Sequence, residues 1–265
     1  MRILSIALGG CLKAPPIAFG ITGDTGGHLT YLWGAAAALA DRSDVAAVEI
    51  ATRLIDDPAL GPEYARPREQ VGAKLSILRI ATADTAYLSK EAAAADRPAF
   101  TAALIAELER RAVLPDIVHA HFADAADVAI ALRRRFGIPF VFTAHSLGMD
   151  KAGCGLGDPD PRARPDLRAR IAAEDAAIAA ADAIVASSRD EAERQLMAYP
   201  GADAARIHRV PPGAVLDGGT GGEGAGDIAR AQALVAPFLR HPARPMLLAI
   251  ARPVRKKNLP ALVDL

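Results

Sequence analysis

Residues 116–145 read DIVHAHFADAADVAIALRRRFGIPFVFTAH, and this stretch decides the fold. The apolar runs at 116–121 and 138–145 have the length and continuity of strands that are covered on both faces. Between them, residues 123–136 repeat apolar side chains at helical spacing. A strand, a helix and a second strand in this order predict parallel strands joined by a right-handed crossover.

The same alternation of strand and helix continues on both sides of this unit. Further strand-like runs cover residues 2–8, 45–52, 75–81, 183–187 and 206–210. Helical patterns cover about residues 27–40, 90–113, 165–181 and 189–199. This order predicts an α/β fold, a Rossmann-like doubly wound parallel sheet. Because ligands of such sheets bind beyond the carboxyl ends of the strands, polar residues directly after strands are the candidate site residues.

The domain organisation changes at a glycine-dense segment. Residues 1–212 form the predicted first domain, and residues 213–227, GAVLDGGTGGEGAGD, are too rich in glycine for the interior of a helix or strand. We interpret them as a linker or exposed loop. Residues 228–265 contain a helical pattern, a strand-like run at 245–251 and a helix start at Asn258, which is too little for a separate core. We expect this segment to be the truncated start of a second α/β domain.

The composition excludes several classes of protein. The chain has 265 residues, of which 51% are hydrophobic and 23% charged, and this excludes an intrinsically disordered chain. Lys and Arg number 31 and so do Asp and Glu, so we expect no broad electrostatic capture of nucleic acid or anionic membrane. No apolar run approaches the ~18–20 residues needed to span a bilayer. Only Cys11 and Cys154 are present, which favours a reducing, cytoplasmic location, and the oligomeric state stays open.

The first of four candidate clusters is DTGGH, residues 24–28, which opens an amphipathic helix. The paired glycines Gly26 and Gly27 let the backbone approach a ligand closely. The N-terminus of a helix adds unpaired N–H groups and a partial positive charge, both of which favour a phosphate. A tight turn or a capped helix start explains the same residues equally well, so the pattern alone leaves both interpretations open.

The second and third clusters follow neighbouring strands of the prediction. HAHFAD places His119 and His121 on the same face of a strand, a spacing that metal-dependent hydrolases use. HSLGMDK follows the next strand, with His145 pointing into the cleft and Lys151 within reach of an anion. The three histidines could bind a metal, but histidines at strand ends more often form hydrogen bonds to neighbouring loops.

The fourth cluster is basic and lies at a turn in ARPVRKKN, residues 251–258. Arg252 and Lys257 could converge on one anion, such as a diphosphate leaving group. Arg255 and Lys256 stand beside them, as they would in a solvated basic turn. Spacing alone favours the solvated turn over the anion site.

These clusters, together with YLSKE at 87–91 and VPPG at 210–213, occur in an order found in a known family. The sequence resembles the retaining GT-B glycosyltransferases of the sucrose-phosphate synthase and sucrose synthase group. The resemblance covers nearly all of the first predicted domain and the entrance of the second. It implies transfer of a hexosyl unit, with retention, from a nucleotide sugar to a sugar or a sugar phosphate. It implies no metal and no other cofactor, since the UDP-, ADP- or GDP-sugar is a substrate.

The resemblance also implies roles for single residues. Gly26 and Gly27 would lie beside the donor diphosphate, which Arg252 and Lys257 would neutralise as it departs. His145 would be the catalytic histidine held against the donor sugar. The residues implied to contact the acceptor are His28, Lys90, His121, Lys151 and Arg170.

Two features of the chain depart from the family pattern. His28 stands where sucrose-phosphate synthases commonly carry glutamine, which leaves the identity of the acceptor open. The family's acidic E-x₇-E segment, which grips the sugar and ribose of the donor, has no counterpart after Lys257, so we expect little transfer by these 265 residues alone. Two alternatives remain open: a non-catalytic module that binds sugar phosphates or a partner, and a metal-dependent hydrolase built on His119, His121 and His145.

Overall fold

The computed structural model describes residues 1–153, 165–213, 225–241, 244 and 259–263. The chain divides into two compact units, Met1–Ala214 and Val215–Leu265. The division lies within residues 213–227, the segment that the sequence predicts as a linker. The first unit carries every candidate site residue except Arg252 and Lys257, which lie outside the described residues.

The first unit is built on one sheet, which has eight strands among the described residues. The strands are β1 (Arg2–Ile6), β2 (Ala47–Arg53), β3 (Arg68–Gln70), β4 (Leu75–Ile80), β5 (Ile117–His121), β6 (Phe140–Thr143), β7 (Ala183–Ala186) and β8 (Ile207–Arg209). Their order is β3-β4-β2-β1-β5-β6-β7-β8, and every neighbouring pair is parallel except β3 with β4. The predicted α/β fold, a Rossmann-like doubly wound sheet, is therefore confirmed.

Helices connect most of these strands. The helices of the first unit are α1 (Gly27–Ala40), α2 (Lys90–Glu109), α3 (Phe122–Phe136), α4 (Gly148–Gly153) and α5 (Pro165–Ala180). The predicted helix 189–199 is helical over residues 189–198, with a π-helical segment at Glu191–Gln195 and a 3₁₀ turn at Leu196–Ala198. The described helices of the second unit are α6 (Ala225–Val235) and α7 (Leu259–Val263). None of the helices in the described ranges is long and apolar enough to cross a membrane.

The strand β3 corrects the prediction of a purely parallel sheet. It pairs antiparallel with β4, with Glu69 opposite Ile77. Its three residues, Arg68, Glu69 and Gln70, are all polar, so the sequence carries no apolar alternation that would have indicated a strand. A short charged strand at the edge of a sheet also discourages pairing with other chains.

The strands beside the candidate site are shorter than predicted. β1 ends at Ile6 rather than at residue 8, and β6 ends at Thr143 rather than at residue 145. His145 has a φ of 56°, which lies outside the strand region of backbone conformation. Hydrophobic runs thus located these strands, whereas their ends depend on backbone angles that hydrophobicity does not report.

Both faces of the sheet are covered, as the near-continuous apolar strands predict. Alternate residues of a strand point to opposite faces, and in β1 the buried Leu4 and Ile6 join one core cluster while the buried Ile3 joins another. Helix α3 packs in the first cluster through small buried residues such as Ala126. Helix α1 packs in the second cluster through Leu29, whose complete burial contributes about 1.5–3 kcal/mol to stability.

The position of β1 in the middle of the sheet creates a crevice. The chain continues from β1 to β2 on one side, whereas β5 pairs with β1 on the other side. The connections after β1 and β5 therefore leave the carboxyl edge of the sheet in opposite directions. Ligands of doubly wound sheets bind at such a switch point. The loop after β1 and the residues after β5 and β6 border it.

Candidate functional site

Two residues beside the crevice have an unusual backbone. Phe122, directly after β5, has a φ of 71°, and His145, two residues after β6, has a φ of 56°. Residues with a Cβ atom rarely adopt this left-handed conformation, which costs about 1–3 kcal/mol at each position. Such strain is concentrated at functional sites. The two strained positions therefore mark the carboxyl ends of β5 and β6 as the place to look for chemistry.

Histidines line this edge of the sheet. Nδ1 of His121 lies 2.8 Å from Nε2 of His145, and the two rings are stacked with centroids 5.1 Å apart. Nε2 of His119 lies 2.8 Å from the hydroxyl of Thr143. His119 and His121 share one face of β5, as their spacing predicts, with ring centroids 4.1 Å apart. His121 is 1% exposed, so its ring lies behind His145 rather than on the surface of the crevice.

Burial keeps these imidazoles neutral. Desolvation lowers the pKa of His119 to about 4 and that of His145 to about 3. Desolvation also lowers the pKa of His121 well below its usual range, and the neighbouring histidines lower it further. At pH 7 the three rings are therefore hydrogen-bonding groups without charge. They can orient a polar ligand and add no positive field of their own.

The three-histidine metal site has no support in this arrangement. Nitrogens of His121 and His145 face each other, and a nitrogen of His119 bonds to Thr143. Among the described residues no group of three His, Cys, Asp or Glu side chains has the geometry of a metal site. The contact between His121 and His145 thus occupies two of the nitrogens that a metal would need.

His28, in the first turn of α1, closes the other side of the site. Its Nε2 atom lies 3.3 Å from the carbonyl oxygen of Gly9, in the loop after β1. Its ring makes an edge contact with Phe122, with centroids 5.2 Å apart, and lies 6.2 Å from the ring of His145. The structure therefore brings His28, His121 and His145 to one edge of the sheet, as their predicted placement after strands implies.

The N-terminus of α1, where the resemblance implies the donor diphosphate, has no capping side chain. Gly26 is the N-cap, with extended backbone and no side-chain capping bond, and the first turn holds no acidic residue. A Cβ atom added at Gly27 would meet no atom within 4 Å. Packing within the described residues therefore does not require glycine there. A ligand can therefore approach the backbone at the start of α1 closely.

Asp24 ties the loop after β1 to the YLSKE segment. Its Oδ2 atom accepts the N–H of Gly10 at 2.8 Å, and its Oδ1 atom accepts the hydroxyls of Tyr87 at 2.6 Å and Thr22 at 2.7 Å. Burial opposes ionisation of Asp24, but these hydrogen bonds outweigh it and lower the pKa. Burial and the bond to Asp24 raise the pKa of Tyr87 to about 12. Asp24 thus connects the loop between β1 and α1 with the segment that leads into Lys90.

Glu174 supports the loop that carries His145. This carboxylate is 2% exposed and accepts the N–H of Gly148 at 2.7 Å, Nε of Arg170 at 2.7 Å and the hydroxyl of Tyr199. Nη2 of Arg170 donates to the carbonyl oxygen of Ser146 at 2.7 Å. Two nitrogens of Arg170 therefore hold the loop after β6, and its implied contact with an acceptor stays a prediction.

A comparison with known sequences decides the family. The sequence profile described as Glycosyltransferase Family 4 matches residues 25–217, which is more than half of the chain. The chain belongs to Glycosyltransferase Family 4. The matched segment of this family 4 chain includes the start of α1, the histidines of the sheet edge and the Glu174 network.

Relatives of the family 4 chain are longer than it is. A probable sucrose-phosphate synthase 1 of Citrus unshiu is 28% identical over an alignment of 329 positions, which includes 99% of this chain and 31% of that protein. A D-inositol 3-phosphate glycosyltransferase of Geodermatophilus obscurus is 34% identical over 203 residues, which cover 76% of this chain and 42% of that protein. The chain thus spans less than half of the length of either relative.

Solved structures give the same fold. The sucrose-phosphate synthase from Thermosynechococcus elongatus superposes with a TM-score of 0.73 at 21% identity, covering 99% of this chain and 58% of that one. At this identity the likeness bears on the fold alone. Together with the family match, it confirms the resemblance of this chain to GT-B glycosyltransferases of the sucrose-phosphate synthase type.

The structure locates the remaining predicted residues of this family 4 chain to different extents. Lys90 is the first residue of α2, and Lys151 lies in α4, directly after the His145 loop. Arg252 and Lys257 lie outside the described residues.

Sequence reasoning missed Tyr87 as a partner of Asp24, and it missed Glu174 altogether. The spacing of Arg170 and Glu174, four residues apart on a helix, was the available signal for the second of these.

Proposed function

We propose that this chain forms the acceptor side of a retaining glycosyltransferase that moves a hexosyl unit from a nucleotide sugar to a sugar or sugar phosphate. The observation that carries the proposal is the neutral His145, held in a strained conformation beside the open N-terminus of α1. The family match and the sucrose-phosphate synthase relatives support it. The substrates are small molecules, and the nucleotide sugar is consumed rather than held as a cofactor.

The donor diphosphate would bind at the start of α1. The free N–H groups after Gly26 and the partial positive charge of the helix end favour an anion there. The open space at Gly27 leaves room for the phosphate oxygens. By the resemblance, Arg252 and Lys257 would neutralise the same diphosphate as it leaves.

His145 would orient the donor sugar rather than act as a base. Its pKa of about 3 leaves it uncharged at pH 7, so it can form a hydrogen bond with a sugar hydroxyl without repelling an electron-poor anomeric carbon. A retaining transfer through an oxocarbenium-like state depends on a stabilised leaving group and a well-placed acceptor hydroxyl. The N-terminus of α1 would stabilise the leaving diphosphate, and the shape of the crevice would place the acceptor hydroxyl.

The acceptor phosphate would be held by Lys90 and Lys151. Lys90 begins α2 directly after the YLSKE segment, and the Tyr87 hydroxyl anchors that segment to Asp24 with a bond of 2.6 Å. Lys151 lies in α4, whose start is fixed by the bond between Gly148 and Glu174. Two cations on supported segments suit a dianionic phosphate, and each charge-assisted bond is stronger than a neutral one.

We expect fructose 6-phosphate to bind the purified chain and to lose affinity when either lysine is replaced. Each charge-assisted contact contributes about 1.5–3 kcal/mol, so Lys90→Ala and Lys151→Ala should each weaken binding by roughly 10- to 150-fold. Isothermal titration calorimetry measures this loss. Unphosphorylated fructose should show no dependence on either lysine.

The matched control for these variants is Lys74→Ala. Lys74 precedes β4 at the amino edge of the sheet and donates to the carbonyl oxygen of Arg42 at 2.8 Å. Its replacement removes one positive charge without touching the crevice, so binding should be unchanged. Equal affinities of the Lys90 and Lys151 variants and the parent chain would remove both lysines from the site.

A further inference from the structure

His121 is the least exposed histidine of the site, and its surroundings define its task. It is 1% exposed, which prevents direct contact with an acceptor on the surface of the crevice. Its Nδ1 atom lies 2.8 Å from Nε2 of His145, the histidine that borders the crevice. Any effect of His121 on a ligand in the crevice would therefore have to pass through His145.

We infer that His121 is a positioning residue that fixes the proton of His145 on Nδ1, so that His145 presents an N–H donor to the crevice. A role of this proton in sugar transfer rests on the proposed function. The position of the proton is independent of the proposed function, because it follows from the two rings and their surroundings.

The argument starts from the number of protons on the two rings. Burial keeps both imidazoles neutral, so each ring carries one proton. The short contact between them needs one donor and one acceptor. Either Nδ1 of His121 donates to Nε2 of His145, or the direction is reversed. The proton on each second nitrogen then follows from this choice.

The buried Nε2 atom of His121 favours the first arrangement. No described residue forms a hydrogen bond with this nitrogen, and it is inaccessible to solvent. In the reversed arrangement it would carry the proton and bury an unpaired N–H. Unpaired N–H groups are rarer in protein interiors than unpaired acceptors, and an unsatisfied buried group costs about 1–3 kcal/mol. The proton of His121 therefore lies on Nδ1, and that of His145 on its own Nδ1.

Neighbouring groups hold the His121 ring in the required orientation. The His119 ring packs against it at a centroid distance of 4.1 Å and is itself tied to Thr143 at 2.8 Å. The rings of Tyr31 and His145 make a T-shaped contact with centroids 5.1 Å apart. Within the described residues no side chain bonds Nδ1 of His145, and this residue is only partly buried. The N–H is thus available to an oxygen of a ligand.

The test is the tautomer of His145, read by two-bond ¹H–¹⁵N correlation spectra of the histidine-labelled chain at pH 7. His145→Gln identifies the signals. We expect His145 to be protonated on Nδ1 in the parent chain and in His121→Asn, whose side-chain amide nitrogen can replace the Nδ1 donor. His121→Gln carries the same amide one methylene further out, so it should lose the Nδ1 preference, as should His121→Leu.

The outcomes separate a positioning role from a merely structural one. Protonation of His145 on Nε2 in the parent chain would overturn the inference, and so would an unchanged tautomer in folded His121→Gln and His121→Leu. If these two variants fail to fold, the parent chain and His121→Asn still decide the question. The spectra need no ligand, so a failure of fructose 6-phosphate binding would count against the proposed function and leave this assignment standing.

Discussion

The free energy of unfolding should fall steeply as the pH decreases from about 6.5 to 5. In the unfolded chain His119, His121 and His145 regain the ordinary histidine pKa of 6.5, whereas in the folded protein desolvation lowers it to about 4 for His119 and about 3 for His145, and well below 6.5 for His121. Between these values the unfolded state binds more protons, so stability is lost as the pH falls. Each histidine contributes up to about 1.4 kcal/mol per pH unit, and three contribute up to about 4.

The chosen pH window separates histidines from most carboxylates, which stay ionised in both states down to about pH 5. Asp124 works in the opposite direction, because burial raises its pKa in the folded protein. Urea unfolding followed by the fluorescence of Trp33 gives the free energy at each pH. His119→Gln should reduce the slope by about one third, because it removes one of the three buried imidazoles. Equal stability at pH 7 and pH 5 would contradict this account, because it would mean that the folded and unfolded states take up the same number of protons between these pH values.

Replacing Glu174 with alanine should destabilise the chain by about 3–5 kcal/mol. The change removes an almost fully buried carboxylate and leaves Arg170, the N–H of Gly148 and the hydroxyl of Tyr199 without their acceptor. An uncompensated charge and unsatisfied donors in a buried network are among the largest penalties that a single substitution brings. Urea unfolding at pH 7 measures the loss.

Glu193→Ala is the matched control for Glu174→Ala. Glu193 pairs with Arg189 at 2.8 Å with the same four-residue spacing, but both side chains are more than half exposed. Exposed pairs contribute about 0–1 kcal/mol, so this variant should remain close to the parent chain. Hydrogen exchange at the amide of Gly148 should also accelerate in Glu174→Ala and stay unchanged in Glu193→Ala. Similar losses of stability in the two variants would contradict the assigned role of Glu174.

The sequence was sufficient for the fold because a buried parallel sheet leaves a strong pattern. Continuous apolar runs separated by helical stretches located seven of the eight described strands. The eighth, β3, is a polar strand held by its antiparallel partner, Leu75–Ile80, and by ion pairs such as that of Arg68 with Glu49 at 3.0 Å. Such a strand depends on contacts between distant segments, which no local pattern reports.

Site residues at the ends of strands could be predicted from the sequence. Site residues that depend on contacts between distant segments could not. His121 ends β5 and His145 lies two residues after β6, so their proximity could be expected from the pairing of these strands. The bond between Tyr87 and Asp24 joins residues 63 positions apart, and spacing gives no indication of it. The burial of His121 was also inaccessible to spacing, since H-x-H fixes only the face of the strand. The resemblance implied that His121 contacts the acceptor, and only the packing in the structure showed that its ring lies behind His145.

The most direct test of the central claim is to locate the site that binds a diphosphate. Inorganic pyrophosphate, titrated into the ¹⁵N-labelled chain, should shift the amide signals of Gly27 and His28. Gly27→Ala should leave the fold intact, because its methyl group enters space that is open in the protein. It should abolish the shifts, because the proposed diphosphate would occupy the same space. Gly72→Ala is the matched control, since a Cβ atom there also meets nothing within 4 Å, and it should bind as the parent chain does. Shifts that survive in Gly27→Ala, or that appear only away from the start of α1, would contradict a donor site at the carboxyl edge of the sheet.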